Sequence, residues 1–301
     1  MNRPLQPQFF SGEEKFANLT LADGSTWGIA AGDEQASALV SRLTETMHLR
    51  PHSAPTYRLF VFTDGNDVSP HSSTPIAHEF PGPVLRAFLP PGEDNTITCV
   101  VSPAREDDMV ANQLLQLSLV IAQQVQSGGG LLLHGALTEM DGWGVILAGP
   151  GGVGKTTASR RLPFPWRSLS DDEALVVRDR QGTYWAHPWP TWSNFMAGGT
   201  GGTWDVEHAV PLKAIFFMEQ AQNDRIEPIG AGHSVPLLVE VAEQASWSMA
   251  HGQGREVARA LRLQRFENIC FLAQSMSYYH LHLSLDGAFW KEIERVIQEI
   301  L

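Results

Sequence analysis

The sequence predicts an α/β fold, a mixed sheet with flanking helices preceded by a small α+β unit. Three observations carry that expectation. Period-two segments alternate with helical-period segments along the chain; a strand, a glycine loop and a helix follow one another within residues 144–162; and 301 residues exceed the usual size of one domain. The boundary is expected near the helix that starts at 107, giving a small α+β N-terminal domain at 1–105 and a second domain at 106–301.

In the first part, ANLTLADGSTWGIAA (17–31) alternates apolar and polar positions around Ala-Asp-Gly, which predicts a hairpin. A helical pattern covers 34–49 and stops before Pro51. YRLFVFTD (57–64) and NTITCVVS (95–102) read as strands, separated by loops rich in Pro, Ser, His and Gly. Over 107–126, Val110, Leu114, Leu117, Ile121 and Val125 recur at helical spacing, and Gly128-Gly129-Gly130 ends the segment. This helix is expected to be the hinge between the two parts.

LLLHGALTEMDGWGVILAG then reads as two apolar strands around Met140-Asp141-Gly142, leading into the glycine loop. Further strands are expected at 175–177, 183–187, 213–219, 269–273 and 278–284, and helices at 237–249, 254–265 and 287–300. Cys99 and Cys270 both fall in apolar, strand-like runs without metal spacing, so they read as buried thiols.

Charge excludes one class of partner. There are 21 basic and 33 acidic residues, a net −12, and no run of Lys or Arg that would track a phosphate backbone, so nucleic acid is not expected. MNRPLQPQFFSGEEKF lacks an apolar segment of signal-peptide length and no later run has membrane-span length, so the expected setting is the cytoplasm, away from the membrane.

Gly149-Pro-Gly-Gly-Val-Gly-Lys-Thr156 fits G-x-x-x-x-G-K-[ST]. Gly149, Gly151, Gly152, Val153 and Gly154 would turn backbone amides toward phosphate oxygens, with Thr157 following in the helix. Lys155 would neutralise the terminal phosphates, and the Thr156 hydroxyl would hold Mg²⁺. The expected ligands are ATP and Mg²⁺. The loop is also similar to the KGGVGKTT loop of ParA- and MinD-like ATPases, but Pro150 stands where their signature lysine would be, and the loop lies deep in the chain.

Phosphoryl chemistry needs an acid. Asp171 and Asp172 lie 16 and 17 residues after Lys155, and adjacent carboxylates entering a strand point to opposite faces: one suits Mg²⁺, the other the proton of an attacking hydroxyl. Glu219, ending AIFFME, is a second candidate. His134, 21 residues before Lys155, ends the strand that pairs with the loop strand and is placed to sense or neutralise the transferred group.

An LHG strand, a hairpin, a glycine loop and then an Asp-Asp pair resemble HPr kinase/phosphorylase and the phosphoenolpyruvate-carboxykinase-like P-loop superfamily, over roughly residues 130–220. The resemblance implies an HPr-kinase-like P-loop fold and homo-oligomeric assembly. It makes His134 the active-site histidine, Lys155 and Thr156 the phosphate and Mg²⁺ residues, Asp171 the catalytic base and Asp172 the metal-side acid. The E-x-R-G-x-G segment of HPr kinases is missing, which argues against HPr as acceptor. PLKAIFFMEQAQNDRIEPIG and a closing helix with Phe289-Trp290 are more similar to peptide-tailoring kinases of the lasso-peptide and SynChlorMet cassette type.

The expected activity is therefore transfer of a γ-phosphoryl group to a serine-type hydroxyl in a peptide or small protein. Two alternatives stay open: a switch or assembly ATPase using Glu219, and a kinase of free serine or a sugar. Trp185, Trp189 and Trp192 among prolines, beside Gly198–Gly202, read either as an aromatic platform with a mobile tether or as core. Arg160, Arg161 and Arg225 are further candidates for phosphate contact.

Overall fold

The computed structural model describes residues 16–51, 55–64, 76–79, 84–88, 95–104, 106–192, 202–246 and 255–300. They form a mixed α/β structure with two mixed sheets and, among the described residues, six helices.

The first sheet begins with the hairpin β1 (Ala17–Thr20) and β2 (Thr26–Ala31), whose turn uses Gly24 at φ +86°. Asp33 caps α1 (Glu34–Thr46), accepting from the Ala36 amide at 2.8 Å and from the Thr63 amide at 2.6 Å. One carboxylate thus starts the helix and ties it to the strand that ends at Thr63. β3 (Arg50–Pro51), β4 (Tyr57–Thr63), β5 (Ile76–Glu79), β6 (Leu85–Phe88) and β7 (Thr96–Val101) complete the order β3-β1-β2-β4-β7-β6-β5. The pairs β2–β4 and β4–β7 are parallel.

α2 (Asp107–Ser127) is buried nearly all round, as expected of a helix lying between layers rather than on a surface. Leu114, Leu117 and Val120 share one apolar cluster with Ile29, Leu59 and Ile97 of the first sheet and with Leu132, Leu175 and Trp189 of the second.

The second sheet contains the hairpin β8 (Leu131–Met140) and β9 (Trp143–Ala148), followed by α3 (Lys155–Arg161), β10 (Arg167–Ser170), β11 (Glu173–Arg178), β12 (Tyr184–Trp189), β13 (Val210–Gln220) and β14 (Arg225–Ile229). Then come α4 (Ala231–Ala245), α5 (Arg255–Ser275), β15 (Ser277–Leu283) and α6 (Phe289–Gln298). Strand order is β10-β8-β11-β12-β13-β15-β14, with β9 between β8 (antiparallel) and β13 (parallel). α4 and α5 cover one face with Leu133, Ile146 and Phe217; α3 and α6 cover the other with Ala136, Leu147 and Phe216. Side chains alternate across these strands, so neighbouring residues serve opposite faces.

Several expectations are corrected. Residues 269–273 are the last turns of α5, not a strand: Ile269, Leu272 and Ala273 are buried at helical spacing while Phe271 is 60% exposed. A short apolar run does not distinguish a strand from a buried helix. Cys270 is therefore a half-buried helical residue, while Cys99 is fully buried in β7. α4 starts six residues before the expected 237 and carries Pro236 inside it. The aromatic-platform reading also gives way to packing, because Trp189, Trp192 and Trp204 are buried and the Trp192 indole donates to Ser118 Oγ at 3.1 Å. Of the proposed tether, 198–201 lies outside the described residues.

α5 is fixed to the end of α2 by polar groups that periodicity does not reveal. Asn268 Nδ2 donates to the carbonyls of Gln126 (2.8 Å) and Gly130 (3.0 Å), and Gln126 Nε2 donates to Leu261 O at 3.0 Å. Carbonyls at a helix C-terminus have no intrahelical donor, and here a second helix supplies one. Asn268→Ala takes this donor from Gly130 O, whereas Gln126 O keeps the Gly129 amide at 3.1 Å, and is expected to lower stability by about 1–3 kcal/mol in urea unfolding.

Candidate active site

The site is built where the end of β9 and the start of β11 meet β8 at His134 and Gly135; His134 does not end its strand as expected, because β8 runs on to Met140 in its pairing with β9. The 149–154 loop joins β9 to α3 and turns on Gly149, Gly152 and Gly154 at φ +154°, +80° and +106°, a region that favours glycine. A Cβ built on Gly151, Gly152 or Gly154 would meet no atom within 4 Å, so space over the loop is open. The Val153 amide donates to Pro150 O at 3.3 Å, and Gln220 Nε2, at the end of β13, donates to Val153 O at 3.3 Å. Gln220 had no sequence signal.

Lys155 opens α3 and is buried. Its Nζ donates to Gly149 O (2.9 Å) and Pro150 O (3.2 Å) and lies 2.9 Å from His134 Nε2. An ammonium has three N–H donors and no acceptor, so all three are engaged and His134 Nε2 is the accepting nitrogen. The imidazole proton then sits on Nδ1, which faces Asp172 Oδ1 at 3.4 Å.

Burial pushes the His134 pKa below the ordinary imidazole value; the Asp172 charge opposes that shift and Lys155 reinforces it. Burial also lowers the Lys155 pKa against the pull of Asp172. Both shifts favour neutral forms, as desolvation of a cation requires.

The strand register explains the meeting. His134 on β8 stands opposite Glu173 on β11, and the Gly135 amide donates to Asp172 O at 2.8 Å. Of the aspartate pair, Asp172 is the one brought to His134. Asp171 turns aside, its Oδ2 3.9 Å from Arg160 Nη2 on α3. Thr156 is half-buried and Thr157 exposed on the first turn of α3.

Of the three candidate arginines, Arg160 stands at the site. Arg161 donates to Ser284 O at 2.9 Å and Gly287 O at 2.5 Å, and Arg225 pairs with Glu227 at 2.9 Å. Glu219 shares the face of Phe217, the side opposite α3, and its Oε2 lies 3.3 Å from His282 Nδ1.

Glu173 is a site neighbour that sequence reasoning passed over, although it directly follows the aspartate pair. It stands opposite both His134 and Trp189, and its Oε2 is buried without a hydrogen-bond partner. Burial, with the Asp172 charge beside it, pushes its pKa up to about 8. Among the described residues, no cluster of three or more His, Cys, Asp and Glu side chains could hold a metal ion, and no helix is long and apolar enough to cross a membrane.

Fold and site together define a mixed α/β protein with a glycine loop whose lysine is held by a histidine of the neighbouring strand. Residues 97–298 match the family described as SynChlorMet cassette protein ScmC, and the chain belongs to that family. The expected link to the cassette group is therefore shown. No curated protein sequence matches the chain.

The raised pKa of Glu173 makes stability depend on pH. Between its ordinary value of 4.5 and about 8, the folded chain keeps a proton that the unfolded chain releases, so stability falls as pH rises through that window. Urea midpoints measured from pH 5 to 9 are expected to fall for the wild type and to stay flatter for Glu173→Gln. Equal slopes would refute the assignment.

Proposed function

We propose that this chain is an ATP- and Mg²⁺-dependent kinase with an HPr-kinase-like P-loop domain, transferring the γ-phosphoryl group to a serine-type hydroxyl in a peptide or small protein. The observation that carries the reading is the contact of Lys155, His134 and Asp172, with Asp171 next in the chain. Three chemically distinct groups, an ammonium, an imidazole and a carboxylate, converge beside a glycine loop of the sequence type that binds nucleotide phosphates.

The residues fit the ligands. Open space over Gly151, Gly152 and Gly154 leaves room for phosphate oxygens, and Lys155 is the buried cation beside it. Thr156 and Asp172 offer the hard oxygen donors that Mg²⁺ takes alongside phosphate oxygens and water. ATP supplies the phosphoryl group, and Mg²⁺ offsets the charge on its oxygens.

The chain's own residues would do the rest. Asp171, half-buried and beside Arg160, accepts the proton of the acceptor hydroxyl as that oxygen bonds to the γ-phosphorus and the bond to the bridging oxygen of ADP breaks. Lys155 and the loop amides stabilise charge on the phosphoryl oxygens. His134, with a proton on Nδ1 and a lone pair on Nε2, holds Lys155 before the nucleotide arrives and tunes protonation around the transferred group. The switch-ATPase alternative has less support, because Glu219 lies across the sheet from α3.

With γ-labelled ATP and serine peptides, the wild type is expected to label a hydroxyl. Asp171→Asn is expected to keep ATP affinity and lose transfer by about 10²–10⁴-fold. Asp172→Asn should instead raise the Mg²⁺ concentration needed for half-maximal rate. Release of free phosphate with no labelled peptide would favour the switch; undiminished transfer in an ATP-binding Asp171→Asn enzyme would remove Asp171 as base.

A further inference from the structure

The two most exposed large apolar side chains among the described residues are Phe164, 93% exposed, and Leu285, 77% exposed. Both sit on well-fixed turns that adjoin the C-terminal end of α3. Leu285 lies within the 284–287 turn, which Arg161 grips at both ends through Ser284 O and Gly287 O. The same turn is held from below: the Ser284 amide donates to Asp224 Oδ1 at 2.6 Å and the Gly287 amide to Ser284 Oγ at 2.9 Å. Phe164 lies in the turn closed by the Trp166 amide on Pro163 O at 2.9 Å, and the buried Trp166 anchors it through Nε1 to Glu294 at 2.8 Å.

An apolar side chain left in water on a rigid support loses little conformational freedom when a partner covers it. Arg160, next in sequence to the residue that grips the Leu285 turn, has a side chain 72% exposed and reaches only to within 3.9 Å of Asp171. Its positive charge therefore stands near the candidate base, at the end of α3 that both turns adjoin, on a chain whose net charge is −12.

We infer that Arg160, Phe164 and Leu285 form the docking surface for the acceptor peptide, one that carries an acidic residue beside its hydroxyl and an apolar residue a few positions along. The assignment rests on the kinase reading above, since Asp171 fixes which end of the surface faces the transferred group. Arg160 selects the acidic neighbour, while Phe164 and Leu285 hold the apolar anchor. Side chains that bind ground state and transition state alike govern KM and leave kcat unchanged.

The test uses the full chain and a synthetic serine-peptide library with Glu, Ala or Lys beside the serine and Leu or Ser further along. ATP-free binding is read by fluorescence anisotropy and transfer with γ-labelled ATP. Wild type is expected to prefer Glu with Leu. Phe164→Ser and Leu285→Ser are each expected to raise the peptide KM and Kd about tenfold without changing kcat or the KM for ATP. Arg160→Glu should turn the preference from Glu to Lys, a reversal that misfolding does not produce.

Transfer or binding insensitive to all three substitutions overturns the surface and leaves the kinase reading standing. Binding that depends on them without any transfer supports the surface and sinks the kinase reading. No peptide binding, or a wild-type dimer that Leu285→Ser dissolves in sedimentation, overturns the surface.

Discussion

The buried ammonium of Lys155 is the constraint around which the site is arranged. A cation taken out of water costs several kcal/mol unless its donors are met, and here two loop carbonyls and one imidazole meet them. The carbonyls of Gly149 and Pro150 point inward only because the loop turns through positive-φ glycines. The imidazole reaches Lys155 because β8 pairs with β9, setting the part of β8 that carries His134 beside the strand end that feeds the loop. His134 is held in turn by a β8–β11 register that sets it opposite Glu173 and next to Asp172. A one-residue slip in that register would move His134 to the other face of the sheet.

Alternation divides the second sheet into two environments. On β13, Phe216 and Met218 join α3 and α6, whereas Phe217 joins α4 and α5 and Glu219 follows it toward His282. Of the acids that the sequence offers near the loop, Asp172 therefore stands on the His134 side and Glu219 does not. The Asp-Asp pair is divided by the same geometry. Asp172, hydrogen-bonded through its carbonyl to Gly135, is drawn into the sheet edge, while Asp171 stays outside it near Arg160. Adjacent residues of one type thus meet different electrostatic surroundings.

Much of this was legible in the sequence because it rests on local rules. The β1–β2 and β8–β9 hairpins, α1, α2, β4 and β7 follow from turn residues and periodicity. Proximity of His134 to Lys155 follows from hairpin pairing. What escaped depends on distant partners. β10 and β14 lack the alternation that marks a half-buried strand, and β14 is mostly exposed; pairing to β8 and β15 makes them strands. The 269–273 run is apolar enough for either state, and packing against α4 and β8 decides for the helix. The tryptophans of β12 and the segment after it read as a platform, since composition does not tell which aromatic rings find neighbours. Burial of Glu173 Oε2 comes from a three-strand register that no single segment contains.

The hold on Lys155 also bears on how a phosphate would enter. Every N–H of its ammonium is engaged, so an incoming oxygen must replace an existing acceptor rather than fill a vacant position. His134 Nε2 is the acceptor most readily given up. Gly149 and Pro150 are fixed by the backbone of the loop, whereas an imidazole is a neutral partner weaker than an anionic oxygen. Exchange at that one bond would leave the loop carbonyls and the glycine turns undisturbed. It would also release the imidazole lone pair next to the phosphate oxygen, with Nδ1 still facing Asp172. A lysine tied to a histidine thereby links occupancy of the loop to the state of the strand that carries the histidine, and through Asp172 to the residue beside the proposed base.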